Sequence, residues 1–375
     1  MRTKASPLIA VLTLLLALPA ASAFAEPPPR VPLHVLRPSD ATDKQWEVTH
    51  AAFHPGGEPT LLTVAQNAVL WDVESGKELH RFQDPWTNGL NAHYSPDGKQ
   101  ILISAGRGVD RGPATAYDAQ TFEKRWEVEP EVWGFFWCWF SRGGKYAVVS
   151  RSYQRLLDPE TGEELHRLEL EMPKGQRGQF MFVRFSPDDS LMFSTTGMGI
   201  NSVWDVEAEK EKHRLSHQGV VWDALFSPDG SYLVTASQDR TAVVWDPSTA
   251  DKLHTLNHQD AVYCVDISDD GGQILTGCAD GTASLWNAET GETVRTFEHK
   301  SEVIAADLSP NGHLVLTGTR SGTAHLWDAR TGEELNRMEH HKENAWCARF
   351  SPDGRYFVTA SEDRTAAVYR TPSAK

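Results

Sequence analysis

A four-residue turn recurs eight times along this 375-residue chain, and its spacing is the strongest constraint on the fold. It reads His54-Pro-Gly-Gly57, Ser95-Pro-Asp-Gly98, Ser141-Arg-Gly-Gly144, Ser186-Pro-Asp-Asp189, Ser227-Pro-Asp-Gly230, Ser268-Asp-Asp-Gly271, Ser309-Pro-Asn-Gly312 and Ser351-Pro-Asp-Gly354. Successive turns are 41, 46, 45, 41, 41, 41 and 42 residues apart. Serine can bond back into such a turn, proline presets φ, aspartate tolerates the bridge conformation, and glycine ends the turn. A unit this short cannot bury its own apolar face, so copies must stack on one another.

The residues around each turn alternate apolar and polar with period two. Val220–Phe226 precedes one turn and Tyr232–Ala236 follows it. A second tight turn comes next, at Gln238-Asp239-Arg240 or Ala279-Asp280-Gly281. A third run follows and ends at Trp71, Tyr117, Leu157, Trp204, Trp245, Trp286, Trp327 and Tyr369. A fourth carries Leu-His, as in Leu79-His80, Leu165-His166 and Leu253-His254. Strand-length runs with turn signals about every ten residues predict an all-β chain.

The unit His-x8-[Phe/Ile/Leu]-Ser-Pro-Asp-Gly, followed by Asp-x-Thr and Trp-Asp, resembles the WD40 repeat over about residues 31–370, most clearly in the C-terminal half. The resemblance implies a β-propeller of four-stranded blades. Eight third-strand ends predict eight blades; seven is the alternative, because the first three are weakly spelled. Only six residues follow Tyr369, too few for a last fourth strand. Leu33-His34-Val35-Leu36 carries the missing signature, so the N-terminus is expected to complete the last blade and leave no open inner edge. Pro32 is tolerable beside such an edge strand.

Residues 1–25 begin with Arg2 and Lys4, continue through a short apolar run from Pro7 to Leu18, and finish in small residues. That is the form of a secretory signal peptide cleaved after Ala25, so the mature protein is expected to be exported, periplasmic or secreted. Residues 26–32 read as a stiff proline-rich leader, 33–370 as one propeller domain and 371–375 as a short tail. A formal charge of −15 argues against nucleic-acid binding, since a phosphate backbone needs a basic face. With one short apolar run and low mean hydropathy, no membrane span is expected in the mature chain, which is expected to act as a monomer. Thirteen tryptophans and fifteen phenylalanines exclude a disordered chain.

His217, His258, His299 and His341 each lie nine residues before the apolar residue that precedes the turn. One per blade, they are spread round the ring, which argues against a shared metal. The WD40 resemblance implies that each bonds a strand hydroxyl and the turn aspartate beside the tryptophan. The matching sets are His217, Thr235, Asp239, Trp245; His258, Thr276, Asp280, Trp286; and His341, Thr359, Asp363, with Tyr369 for tryptophan. Ser321 replaces the aspartate beside His299, and Gln176 and Met198 stand at the histidine and aspartate positions of the fourth unit. Cys138, Cys264, Cys278 and Cys347 are expected as free buried thiols; Cys264 and Cys278 are offset by one register and face opposite sides.

No catalytic motif, cofactor motif or metal-ligand spacing stands out. By the same resemblance, the residue five after the histidine points onto the top face near the channel. Its occupants, Phe136, Met181, Trp222, Tyr263, Ile304 and Trp346, are all apolar or aromatic, with Gln238, Arg320 and Glu362 as a polar rim. Such a surface suits a protein or peptide partner. The expectation is an exported, non-enzymatic scaffold without a cofactor. Alternatives are a quinoprotein-like oxidoreductase, which the lack of a Cys-Cys pair opposes, and a purely structural envelope-assembly scaffold.

Overall fold

Each period-two run becomes a strand, and each turn makes the next strand antiparallel, so every unit closes as a four-stranded meander. The computed structural model describes residues 31–38, 48, 50–65, 67–82, 89–105, 112–129, 137–150, 153–169 and 180–372. Residues 1–25, which the sequence reads as a signal peptide, most of the proline-rich stretch, Phe136, Gln176 and the last three residues lie outside them. Eight four-stranded antiparallel sheets form the ring of an eight-bladed propeller. The inner strands, from His50–Phe53 in blade 1 to Ala345–Phe350 in blade 8, face the axis.

Seven blades take their strands in sequence order. The eighth pairs the N-terminal strand His34–Leu36 with Ala366–Arg370. His34 lies opposite Val368, Val35 opposite Ala367 and Leu36 opposite Ala366, and the Leu33 amide donates to the Val368 carbonyl at 2.7 Å. Leu36 is buried in a cluster that also holds Leu61 and Trp71 of blade 1 and Val358 and Val368 of blade 8. The His34 ring donates from Nε2 to the Glu74 carbonyl at 2.8 Å, tying the closing strand to blade 1. The eight-bladed, N-terminally closed ring expected from the sequence is the one observed.

The core is divided into sandwiches between neighbouring blades. Leu62, Leu70 and Phe82 of blade 1 pack on Ala92 and Ile101 of blade 2. Val234, Val244 and Leu256 of blade 5 pack likewise on Val265, Ile274 and Trp286 of blade 6. The second and third strands of each blade therefore need apolar residues on both faces, which is why third strands read Val-Leu-Trp or Val-Val-Trp. Truncating one such leucine removes about 2–5 kcal/mol.

Two irregular turns explain each other. In the regular spelling the aspartate holds its own turn: Asp229 accepts Ser227 Oγ at 2.7 Å and the Ser231 amide at 3.0 Å. Blade 3 has Gly143 where that aspartate belongs, and blade 4 has Asp189 where the final glycine belongs. Asp189 adopts φ 59°, which a short polar side chain tolerates best after glycine. Its carboxylate crosses to blade 3 and accepts Ser141 Oγ at 2.7 Å, the Gly143 amide at 2.8 Å and the Lys145 amide at 2.9 Å. A Cβ at Gly143 would sit 2.7 Å from that carboxylate, so the two departures require one another.

All four cysteines are free and buried. Cys264 lies opposite Gly277 while Cys278 lies opposite Val262, the one-register offset expected from the hairpin.

Candidate functional site

One end of the ring carries the links into the inner strands and the second tight turns; the Ser-Pro-Asp-Gly turns occupy the other. At the first end, the buried polar chains form in three of the four histidine-bearing blades. In blade 5, Trp245 Nε1 donates to Thr235 Oγ1 at 2.8 Å, His217 Nε2 lies 2.7 Å from the same hydroxyl, and His217 Nδ1 donates to Asp239 at 2.8 Å. Burial holds His217 below its ordinary value against the pull of Asp239, so the ring stays neutral and Nε2 accepts from threonine. Blade 8 repeats this with His341 2.8 Å from Thr359 and 3.2 Å from Asp363, and Tyr369 packs where the tryptophan would be. In blade 7, which lacks the aspartate, His299 Nδ1 turns to the Phe297 carbonyl at 3.1 Å and Nε2 keeps Thr317 at 2.8 Å.

Blade 6 departs from the expectation. Trp286 reaches Thr276 at 2.9 Å, but His258 bonds neither Thr276 nor Asp280, and its buried Nε2 has no partner. Asp280 spends one oxygen on Thr282, at 2.6 Å to the hydroxyl, and offers the other to the Gln259 amide at 3.3 Å.

Five of the six apolar positions assigned to the top face share a backbone cause; Phe136 lies outside the described residues. Met181, Trp222, Tyr263, Ile304 and Trp346 are each the extra residue of a register shift in the inner strand. A bulge re-aims its side chain out of the pleat, which is how an aromatic leaves an otherwise largely buried strand. Trp222 and Trp346 are each 39% exposed. Tyr263 is half-buried, with its ring 6.3 Å from Trp222 and the Arg320 guanidinium 5.7 Å from its centroid. The polar rim is ordered: Trp346 Nε1 donates to Glu362 at 2.6 Å, and Arg320 pairs with Glu302 at 2.9 Å. Gln238, in the second tight turn of blade 5, is exposed. Two of the six depart from the expected surface. Ile304 is 7% exposed, and Met181 packs on the core between blades 4 and 5. The exposed patch is therefore an arc over blades 5, 6 and 8 among the described residues.

The sequence reading missed a girdle of side chains around the axis. It begins at His50 of blade 1, whose ring lies 4.6 Å from His93 of blade 2, itself 5.8 Å from Trp139 of blade 3. Arg184 of blade 4 sits 5.9 Å from the Trp139 ring and pairs with Asp223 of blade 5 at 3.1 Å. Asp223 and Asp266 accept the Val265 and Leu308 amides of the following blades at 3.3 and 2.7 Å. Asp307 accepts the Phe350 amide at 2.7 Å and Arg349 of blade 8 at 2.8 Å. The acids thus cap inner-strand amides that have no fifth strand to bond. Burial and Asp307 push Asp266 well above the usual carboxylate range. The bore still admits water, since the Arg349 side chain remains 47% exposed. Burial, with Arg349 nearby, lowers His50 to about 4. The signal was available: six girdle residues stand two places before the repeated turn, and where Ala52 and Leu225 fill that place, His50 and Asp223 substitute from two residues earlier.

The sequence model of the IFT122 first beta-propeller matches residues 179–375, just over half of the chain. The chain belongs to that beta-propeller family. The match spans blades 4 to 8, where the repeat is spelled most regularly. The crystal structure of the computationally designed Ika8 protein is similar over 87% of this chain and 97% of its own, with a TM-score of 0.74 at 21% identity. At that identity the likeness speaks for the fold alone. No curated protein matches the chain by sequence.

Proposed function

We propose that this propeller is a non-enzymatic scaffold that binds a protein or peptide segment on its top face, and that it does so after export. The observation that carries the reading is the pair of bulge-presented tryptophans, Trp222 and Trp346, held in the open beside Tyr263, Arg320 and Glu362. Tryptophan, tyrosine and arginine dominate binding hot spots because they combine large apolar area with a polar handle. The rim carboxylates and the overall charge of −15 suit a segment with apolar anchors and positive charge. Export rests on the form of residues 1–25, and N-terminal sequencing of the mature protein checks it.

The test compares the mature protein with Trp222→Ala, Trp346→Ala and the double variant. All should melt alike, because both side chains are already substantially solvated. Partners captured from native envelope extract by the parent protein are identified, and their binding to each variant is measured with purified components. About tenfold weaker binding to each single variant is expected for hot-spot residues. Unchanged affinity for every partner removes the top-face assignment.

A further inference from the structure

The blade 6 irregularity has a chemical reading that the scaffold role does not use. His258 precedes the inner strand Val262–Ile267, Cys278 ends the second strand Gln273–Cys278, and Asp280 sits in the turn before Thr282–Asn287. One donor atom from each lies within 4.8 Å of the other two, the only such group of three or more His, Cys, Asp or Glu side chains among the described residues. The same place in blades 5, 7 and 8 holds Ser237, Thr319 and Ser361, which pair with Val221, Val303 and Ala345 as Cys278 pairs with Val262. Blade 6 alone has a thiol there, and blade 6 alone leaves its histidine out of the buried chain.

Each donor is held loosely by its present partners. His258 Nε2 is buried with no partner. Cys278 Sγ lies 3.3 Å from the Asp260 carbonyl and 3.5 Å from the Asp280 amide, and its thiol also interacts with the Asp280 carboxylate. Asp280 is anchored through one oxygen by the Thr282 amide and hydroxyl, at 2.8 and 2.6 Å, while the other meets the Gln259 amide at 3.3 Å, and its carboxylate also interacts with the Cys278 thiol. In blade 5 the equivalent oxygen of Asp239 takes both His217 and the Gln218 amide at 2.8 Å.

We propose that His258, Cys278 and Asp280 form a binding site for a zinc-like divalent cation, with water in the fourth position. A nitrogen, a sulfur and an oxygen donor match the borderline-soft preference of zinc, and three protein ligands leave a tetrahedral site open at one corner. The imidazole enters in its neutral form. The thiol loses its proton to solvent as the metal–sulfur bond forms, so binding one cation releases one proton at neutral pH. Asp280 is exposed and gives the ion its route in, while Cys278 is buried and keeps the sulfur from other reactions.

The test uses the full mature chain, stripped with a chelator and titrated with Co(II) alone and then Zn(II) alone. One equivalent of Co(II) should give a thiolate-to-metal charge-transfer band and tetrahedral d–d absorption, both displaced by Zn(II). Calorimetry in buffers of different ionisation enthalpy should report one proton released. Cys278→Ser installs the residue of blades 5 and 8 and should fold normally, yet lose the charge-transfer band and bind zinc more weakly by about tenfold or more. His258→Asn should weaken zinc similarly, while Cys264→Ser, at the other thiol of this blade, should leave binding intact. Cobalt bound only weakly and octahedrally, or a charge-transfer band that survives in a correctly melting Cys278→Ser, overturns the site and leaves blade 6 with a slack version of its neighbours' polar chain.

Discussion

The exchange between Gly143 and Asp189 predicts that restoring the regular turn spelling one residue at a time is harmful and restoring both is not. Asp189→Gly strips three donors of their acceptor: Ser141 Oγ and the amides of Gly143 and Lys145. Hydrogen bonds to a charged acceptor contribute about 1.5–3 kcal/mol each, but both amides lie near the surface and regain water. Relief of the left-handed backbone at residue 189 offsets about 1 kcal/mol. The expected net loss is about 1–3 kcal/mol. Gly143→Asp alone drives a Cβ to 2.7 Å from the Asp189 carboxylate and sets two like charges together. Overpacking of that kind costs about 1–3 kcal/mol. The double variant gives both blades the spelling that Asp229 satisfies within its own turn, and should return to within about 1 kcal/mol of the parent, a coupling of at least about 1 kcal/mol. Urea unfolding followed by tryptophan fluorescence, with midpoints compared at unchanged slope, measures all four corners of the cycle. Losses that simply add would refute the reciprocal account.

The buried chains predict a second contrast within one molecule. Thr235→Val orphans both Trp245 and His217, whereas Thr276→Val orphans Trp286 alone, so the first should lose about 1 kcal/mol more in the same unfolding assay. Acid should also destabilise the ring. Burial holds His50 and His299 near 4, so the unfolded chain takes up protons that the folded chain refuses as pH falls from about 6.5 through 4. Their contribution, about 1–3 kcal/mol each, is present above that window and lost through it. His50→Gln should flatten the decline measured by melting temperature against pH, and an unchanged slope would count against a desolvated His50.

The architecture was legible because it is written redundantly. Eight turns, eight third-strand ends and a Leu-His signature displaced to the N-terminus all give the same ring, and the one-register offset of Cys264 and Cys278 follows from hairpin counting. The site was legible only in part. Counting from the turn placed Trp222, Tyr263 and Trp346 on the top face, yet it could not say that the same bulge leaves Ile304 covered and Met181 folded into the core, because exposure depends on the neighbouring loops. Motif matching put His258 in the same buried chain as His217, although its Nε2 is buried without a partner. The axial girdle escaped because each member belongs to a different blade, and the pattern emerges only when eight inner strands are viewed down one axis.

The strand His34–Leu36 finds its partner in Ala366–Arg370, nearly the whole length of the polypeptide away. A strand made early in synthesis is therefore the last to dock, and seven sheets can assemble while the seam stands ajar. Such long-range pairing is slow to form. The circle behaves as a clasped bracelet: until the tail has been made, the clasp has nothing to fasten to, and any chain cut short before Ala366 is left with a raw edge at blade 8.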